Sequence, residues 1–292
     1  LGSLFVFSPA HADLTTGLVA QYSFDDCTAK DNSGNGHDGT INGNPQCVDG
    51  VKGKAFSFDG VNFIDLGDMN YLPTKSLTFS LWVKKEQSGR VEGFFGKWNT
   101  SPFTNNSFLI YNGESFYVDY PTIAFNFDSS GNTGWNAKNK IISNVFTHLV
   151  FTWSNETGLL SIYQNGKLDV TYENVGKGEQ LLNKPLSYTA KIGNWGEIHG
   201  TTHEFIGVTD DLRIYNRALT EVEVMELYKG TQSLSGNING VQKYSAVCKN
   251  TKTSVTKKIA MADGAKEWNC KTAGLQTKKG DIVTVTITGV SQ

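Results

Sequence analysis

Apolar residues recur along this chain at a spacing of two, in short runs separated by turns rich in Asn and Gly. Between Leu77 and Val83, the residues Leu77, Phe79, Leu81 and Val83 alternate with Thr78, Ser80 and Trp82. In a pleated strand this alternation sends one set to a core and the other to the opposite face. The same rhythm predicts strands at Leu18–Phe24, Lys54–Phe58, Asn62–Leu66, Phe108–Tyr111, Ile123–Phe127 and His148–Trp153. Leu159–Gln164 and Lys167–Val170 flank Asn165-Gly166, a pair that accepts the positive φ angles of a two-residue hairpin turn. Ala190–Gly193 and Thr209–Tyr215 complete the series. One helix interrupts it. Thr220 and Glu223 make a capping-box pattern, Val224, Leu227 and Tyr228 share a face, and Gly230 is expected to end the helix. Beyond a polar stretch at 231–239, further strands are predicted at Val241–Lys249, Ser254–Ala260, Glu267–Lys271 and Asp281–Thr288. Many short strands at this spacing predict an all-β chain, with a sandwich or jelly roll at 13–230 and a small β-sandwich at 240–292.

Charge supports two domains. From Gly236 onward there are nine Lys and three acidic residues, a surplus of six positive charges, so the remainder carries −8 against −2 for the whole chain. A basic tail suits an anionic polymer or the acidic body of a neighbouring copy, or simply a solvated surface that keeps sheet edges soluble. Its lysines are scattered and it has no Arg, so nucleic acid is not an expected partner. Leu4–Phe7 is apolar and Ala10-His11-Ala12 has the small-x-small pattern of a signal-peptidase site, so residues 1–12 are expected to be the end of a signal peptide. No other stretch approaches a membrane span. The expectation is an exported protein at the cell surface, outside the cell or in the periplasm. Four cysteines suit that compartment. Of the three possible pairings, nearness in sequence favours Cys27–Cys47 and Cys248–Cys270, each worth about 3 kcal/mol. Zinc is the competing use, but no C-x₂-C spacing supports it.

Taken in order, GLVAQYSFDD, DNSGNGHDG, GKAFSFDG, LTFSLWVK, FTHLVFTW, LSIYQNGK, KIGN and DDLRIYNRAL resemble the LamG-like jelly roll of the concanavalin A-like lectin/glucanase superfamily. Residues 90–140 carry no motif of that set. The tail resembles small Cys-containing β-domains at the C-termini of exported bacterial proteins. The resemblance implies a structural calcium ion where the first and last strands meet. Carried over, its ligands are Asp25, Asn35, the Gly36 carbonyl and Asp210, with Asp31 either a ligand or a turn-pinning Asx residue. The alternative is that these acids only cap turns.

Glucanases of that superfamily carry a strand-borne Glu-x-Asp-x-x-Glu, which aims two carboxylates at one face. No Glu here has that context, and no G-x-S-x-G elbow or phosphate loop is present. An enzyme is therefore not expected. His148 begins a predicted core strand and reads as structural; His199 and His203 lie in a Gly/Thr loop. Trp98, Tyr111, Tyr117, Tyr120, Trp135 and Trp195 lie in or beside loops rich in Asn, Ser and Gly. Aromatic faces stack on sugars and amides bind their hydroxyls, so these residues, with Trp98, Trp135 and Trp195 the most exposed, are the expected carbohydrate-binding set. Trp82 and Trp153 are assigned to the core. The leading function is non-catalytic binding of a glycan or adhesion to one. Self-assembly into an extracellular filament is the second reading, and a polysaccharide-active enzyme the third.

Overall fold

The computed structural model describes residues 13–86, 89, 91–98, 106–113, 118–128, 131–183, 189–194, 204–231, 243–250, 256–260 and 283–290. The chain folds into two compact units, Leu1–Ser233 and Leu234–Gln292. In the first, the strands are β1 (Leu18–Tyr22), β2 (Thr40–Asn42), β3 (Gln46–Asp49), β4 (Lys54–Asp59) and β5 (Phe63–Asp65). Then come β6 (Ser76–Lys85), β7 (Glu92–Lys97), β8 (Phe108–Asn112), β9 (Pro121–Phe127) and β10 (Gly131–Asn136). β11 (Thr147–Ser154), β12 (Leu159–Gln164), β13 (Lys167–Tyr172), β14 (Lys191–Ile192) and β15 (Ile206–Tyr215) precede the helix α1 (Glu221–Thr231).

These strands build a jelly-roll sandwich of two antiparallel sheets. One sheet has the order β13-β12-β11-β6-β15-β4-β3, with β1 also paired to β15. The other has the order β10-β9-β8-β7-β14-β5-β2. The alternating residues of β6 do what the pattern requires. Leu77, Phe79, Leu81 and Val83 enter the core with Phe95, Phe108, Ile110, Phe125, Phe151 and Trp153. Phe79 stacks on Phe108 and meets Phe95 edge-on. The Trp153 indole N–H donates to the Val175 carbonyl at 2.9 Å, so its one polar atom is satisfied inside. Asn165 and Gly166 both have positive φ, as the β12–β13 hairpin demands.

The opposite residues of β6 face α1. Val150, Tyr163 and Tyr215 on the strands pack with Leu219, Val224 and Leu227. Trp82 is buried here rather than in the core, in a triad of mutually stacked rings with His148 and Tyr228. The capping box is formed: the Thr220 N–H donates to Glu223 at 2.8 Å and the Glu223 N–H to the Thr220 hydroxyl at 3.4 Å. Gly230 does not stop the helix. It keeps a negative φ, and the last turn runs on to Thr231.

β15 is the hinge of the topology. Its residues 206–209 pair with β4 and its residues 212–215 with β1, so two strands share one edge end to end. At the junction a bulge inserts one extra residue between Asp210 and Arg213, opposite Trp82 and Ser80, and Asp211 takes a φ of 43°. The Cys27–Cys47 disulfide, with Cα atoms 5.6 Å apart, fastens the loop after β1 to β3.

In the second unit, β16 (Lys243–Asn250) lies between β17 (Thr256–Ala260) and β18 (Val283–Val290) in one antiparallel sheet. The expected second layer, the strand at Glu267–Lys271, the Cys248–Cys270 pairing and the segment 1–12 lie outside the described residues. No described helix is long and apolar enough to cross a membrane.

Candidate functional site

The outer face of the seven-stranded sheet follows from the register. Phe108 and Ile110 point into the core, so Leu109 and Tyr111 point out. Leu109 is opposite Ala124 on β9 and Gly96 on β7, and Tyr111 is opposite Thr122 and Gly93. Gly134 and Asn136 on β10 continue the rows of Ala124 and Thr122. Across the middle, Gly96 is opposite Lys191 of β14, which is opposite Asp65 of β5. This face is therefore a band of Tyr, Thr and Asn side chains set among glycines. The Thr122 hydroxyl donates to Asn136 Oδ1 at 2.6 Å. A Cβ at Gly134 would lie 3.3 Å from the Tyr111 hydroxyl, so the glycine gives that hydroxyl room.

Of the aromatic candidates, Trp98 and Tyr111 share this face, but the expected exposure does not hold for them. Trp98 is 6% and Tyr111 7% exposed, packed with Leu109 and Ala124 in an apolar cluster of their own. An Asn/Gly-rich neighbourhood signalled a loop, whereas both rings lie beside flat sheet and are half of a small second core. Trp135 is half-buried and faces the other way, against Phe125 and Phe127 at the open edge of the main core. Tyr120 is half-buried beneath the Lys140 ammonium, 5.2 Å from its ring centroid. Tyr117, Trp195, His199 and His203 lie outside the described residues. Gly134 and Asn136 were missed because β10 falls in the stretch without family motifs and its sequence, GNTGWN, has little strand character, while Thr122 and Lys191, at the edge of and within predicted strands, carried no signal of the face they take.

The acids of the expected metal set divide into two groups. The Gly50–Gly53 turn between β3 and β4 gathers Asp25 and Asp210. Asp210 Oδ2 accepts from the Val51 N–H at 2.7 Å, and Asp25 Oδ1 from the Lys54 N–H at 3.2 Å. A Cβ on Gly50 would meet Asp210, and one on Gly53 would meet Asp25, so both glycines admit the carboxylates. Asp210 is 1% exposed and its Oδ1 has no hydrogen-bond partner. Burial pushes its carboxyl up to about 7, the turn amides pull the other way, and the Asp211 charge adds to the rise. Asp211 itself is held by Arg213 in a two-pronged ion pair at 3.0 Å.

Asp31 and Asn35 serve a different junction. Asp31 accepts from the Gln21, Ser33 and His37 N–H groups and from the Ser33 hydroxyl. Burial works to raise its carboxyl, but these donors outweigh it and hold the pKa below the ordinary value. The Asn35 amide donates to the Leu18 and Val19 carbonyls, latching the turn to β1, and Gly36 supplies its positive φ. Among the described residues no group of three or more His, Cys, Asp or Glu is arranged to hold a metal.

His148 is buried beneath α1. Its Nε2 is 2.8 Å from the Ser80 hydroxyl. Burial, helped by the nearby Arg213 charge, depresses its pKa to about 3. It is a neutral structural histidine.

A family model described as the concanavalin A-like lectin/glucanases superfamily matches residues 58–225. The chain belongs to that superfamily. No curated protein sequence matches it. Among solved structures it is similar to domain 4 of AbnA, an extracellular GH43 arabinanase from Geobacillus stearothermophilus, determined with arabinotriose. The identity is 27% and the TM-score 0.54, over 72% of this chain and 98% of that domain. It also resembles the binding domain of Paraclostridial Mosquitocidal Protein 1, at 16% identity and a TM-score of 0.58 over 84% of this chain and 63% of the other. The botulinum neurotoxin serotype G binding domain is similar at 13% identity and a TM-score of 0.56, over 84% and 62%. The last two likenesses establish the fold, and the chain spans about three fifths of each. The first of these neighbours was determined with arabinotriose, and the other two are binding domains.

Proposed function

We propose that this chain is a non-catalytic carbohydrate-binding module that acts outside the cell, attaching to a polysaccharide. The observation that carries this reading is the β10 edge of the seven-stranded sheet's outer face, where exposed Gly134 and half-buried Asn136 lie beside the buried Thr122 and the Tyr111 ring, itself 7% exposed. An aromatic ring stacks on the apolar face of a sugar, while amide and hydroxyl groups take its hydroxyls. The arabinanase domain, bound to arabinotriose in its own structure, supports a saccharide as the ligand class. The Cys27–Cys47 disulfide supports an oxidising compartment. Calorimetric titration with arabino-oligosaccharides and a panel of neutral oligosaccharides tests the reading. Gly134 is exposed, so Gly134→Phe sets a ring before Tyr111 without disturbing the core. Affinity should fall about tenfold or more, a loss of about 1.4 kcal/mol. A protein that binds no saccharide sinks the idea.

We also propose a structural calcium clasp at Asp25 and Asp210. Hard carboxylate oxygens suit this ion, and the orphaned, buried Asp210 Oδ1 is the atom that lacks a partner. Bound there, calcium would supply positive charge at the β1–β4–β15 junction, while Asp31 and Asn35 hold β1 beside it. Thermal unfolding in calcium and in chelator checks this. At a hundredfold excess over Kd, calcium should add about 2.7 kcal/mol of stability. Asp210→Asn should abolish the gain, and equal melting of the native chain in both solutions would refute the clasp.

A further inference from the structure

We infer that the same outer face carries an anion subsite at Lys191, so that the glycan it takes bears an oxyanion, a carboxylate or a sulfate, on one of its sugars. This rests on the carbohydrate-binding reading above. Ile192 is fully buried in the core, which turns Lys191 to the outer face, between Gly96 on one side and Asp65 on the other. There Lys191 is 7% exposed. Its Nζ lies 4.8 Å from the centroid of the Phe63 ring on β5, a cation–π contact. Among the described residues, no ion pair or hydrogen bond joins its ammonium to another side chain. Asp65, directly opposite, instead turns Oδ1 to the Gly67 N–H at 2.8 Å.

Nearly buried charges are ordinarily paired, because an ammonium removed from water loses its hydration. The ring below Lys191 offsets part of that loss but accepts no conventional hydrogen bond, so all three N–H donors remain available. The other buried lysines described in the sandwich are satisfied within the chain. Lys85 pairs with Asp119, and the Lys97 ammonium donates to the Asp68 carbonyl and to Asn183. Of these three, Lys191 is the one without an oxygen partner among the described residues, and it is the one on the proposed sugar face. Its strand lies two strand spacings, about 10 Å, from that of Tyr111. Gly93 and Gly96 form the intervening floor. Tyr111 is itself 7% exposed, so the contact this inference concerns is the anionic group at Lys191.

The test compares matched ligands by calorimetry: trigalacturonate with its methyl ester, and sulfated lactose with lactose. The wild-type protein should bind at least one charged ligand about tenfold more tightly than its neutral counterpart at low salt. The pair that shows the advantage tells carboxylate from sulfate. The advantage should shrink as salt is raised. Lys191→Gln should erase it, bringing the charged ligand to the affinity of its neutral counterpart, and Lys191→Arg should keep it. Equal binding of charged and neutral ligands, or a preference that survives Lys191→Gln, overturns the subsite and leaves the carbohydrate reading intact. If no ligand of either kind binds, the carbohydrate reading itself falls. Should Lys191→Gln fail to fold by circular dichroism, the salt titration of the wild-type protein decides: a salt-independent preference refutes the role of the ammonium.

Discussion

The two outer faces of the sandwich are made by the same alternation and end in different chemistry. On the eight-stranded sheet, the outward residues include Val150, Tyr163, Tyr215 and the Trp82–His148 pair, and α1 closes over them. On the seven-stranded sheet, the corresponding positions are Thr122, Asn126, Asn136, Gly134 and Lys191, around one small apolar cluster. The lesson is that a strand's second face reports what it meets. Apolar and aromatic residues there mean cover from the chain's own helix. Amides, hydroxyls and an ammonium there mark a polar face, buried at Thr122, Asn126 and Lys191 and exposed at Gly134 on the β10 edge.

Acid should break the closed face most strongly. His148 is neutral when folded, with a pKa of about 3 against 6.5 unfolded, so its contribution is intact above pH 6.5 and is lost as pH falls toward 3. Urea unfolding across that window should show a slope of about 1.4 kcal/mol per pH unit from this group. In His148→Gln that component should vanish, and an unchanged slope would contradict the assignment. Leu227→Ala comes next. It empties a buried site between α1 and the sheet and should cost about 3 kcal/mol in chemical denaturation, with sugar affinity unchanged. Gly134→Phe, on the other face, should have the smallest effect on folding, within about 0.5 kcal/mol, while lowering the proposed sugar affinity about tenfold or more. A Gly134→Phe protein as unstable as Leu227→Ala would erase the distinction between the faces.

The strands legible in the sequence are those with one apolar face. β6, β11 and β15 alternate cleanly, and Asn165-Gly166 marks its hairpin because only such a pair accepts two positive φ angles without strain. The capping box at Thr220 and Glu223 was equally readable. β7 and β10 were not, since Gly93, Gly96, Gly131 and Gly134 break the β-character that a single sequence displays. The site suffered from the same blindness. Composition could gather Trp98, Tyr111 and Trp135 as aromatics near polar turns, but the face each ring takes depends on register with strands that composition does not reveal. Lys191 held a usable signal, a lysine between Ala190 and Ile192 in a predicted strand, which only the missing counter-ion makes distinctive. Asp25 and Asp210 meet because β1 and β4 share an edge of β15, a long-range fact absent from either motif alone.

That shared edge has a mechanical consequence. β1 and β15 run antiparallel, so Leu18 and Tyr215 are opposite each other, while the chain leaves the sandwich only beyond α1, which packs on the sheet. A load that draws the N-terminal end of β1 away from β15 would therefore peel the pair apart one bond at a time instead of shearing it. The Asn216–Gly17 backbone bond and the grip of Arg217 on the Thr16 carbonyl would open first. Peeling would run along β1 only as far as Cys27, where the covalent link to Cys47 transfers the load to β3. The N-terminal end can thus yield by a short, bounded length and close again when the tension drops.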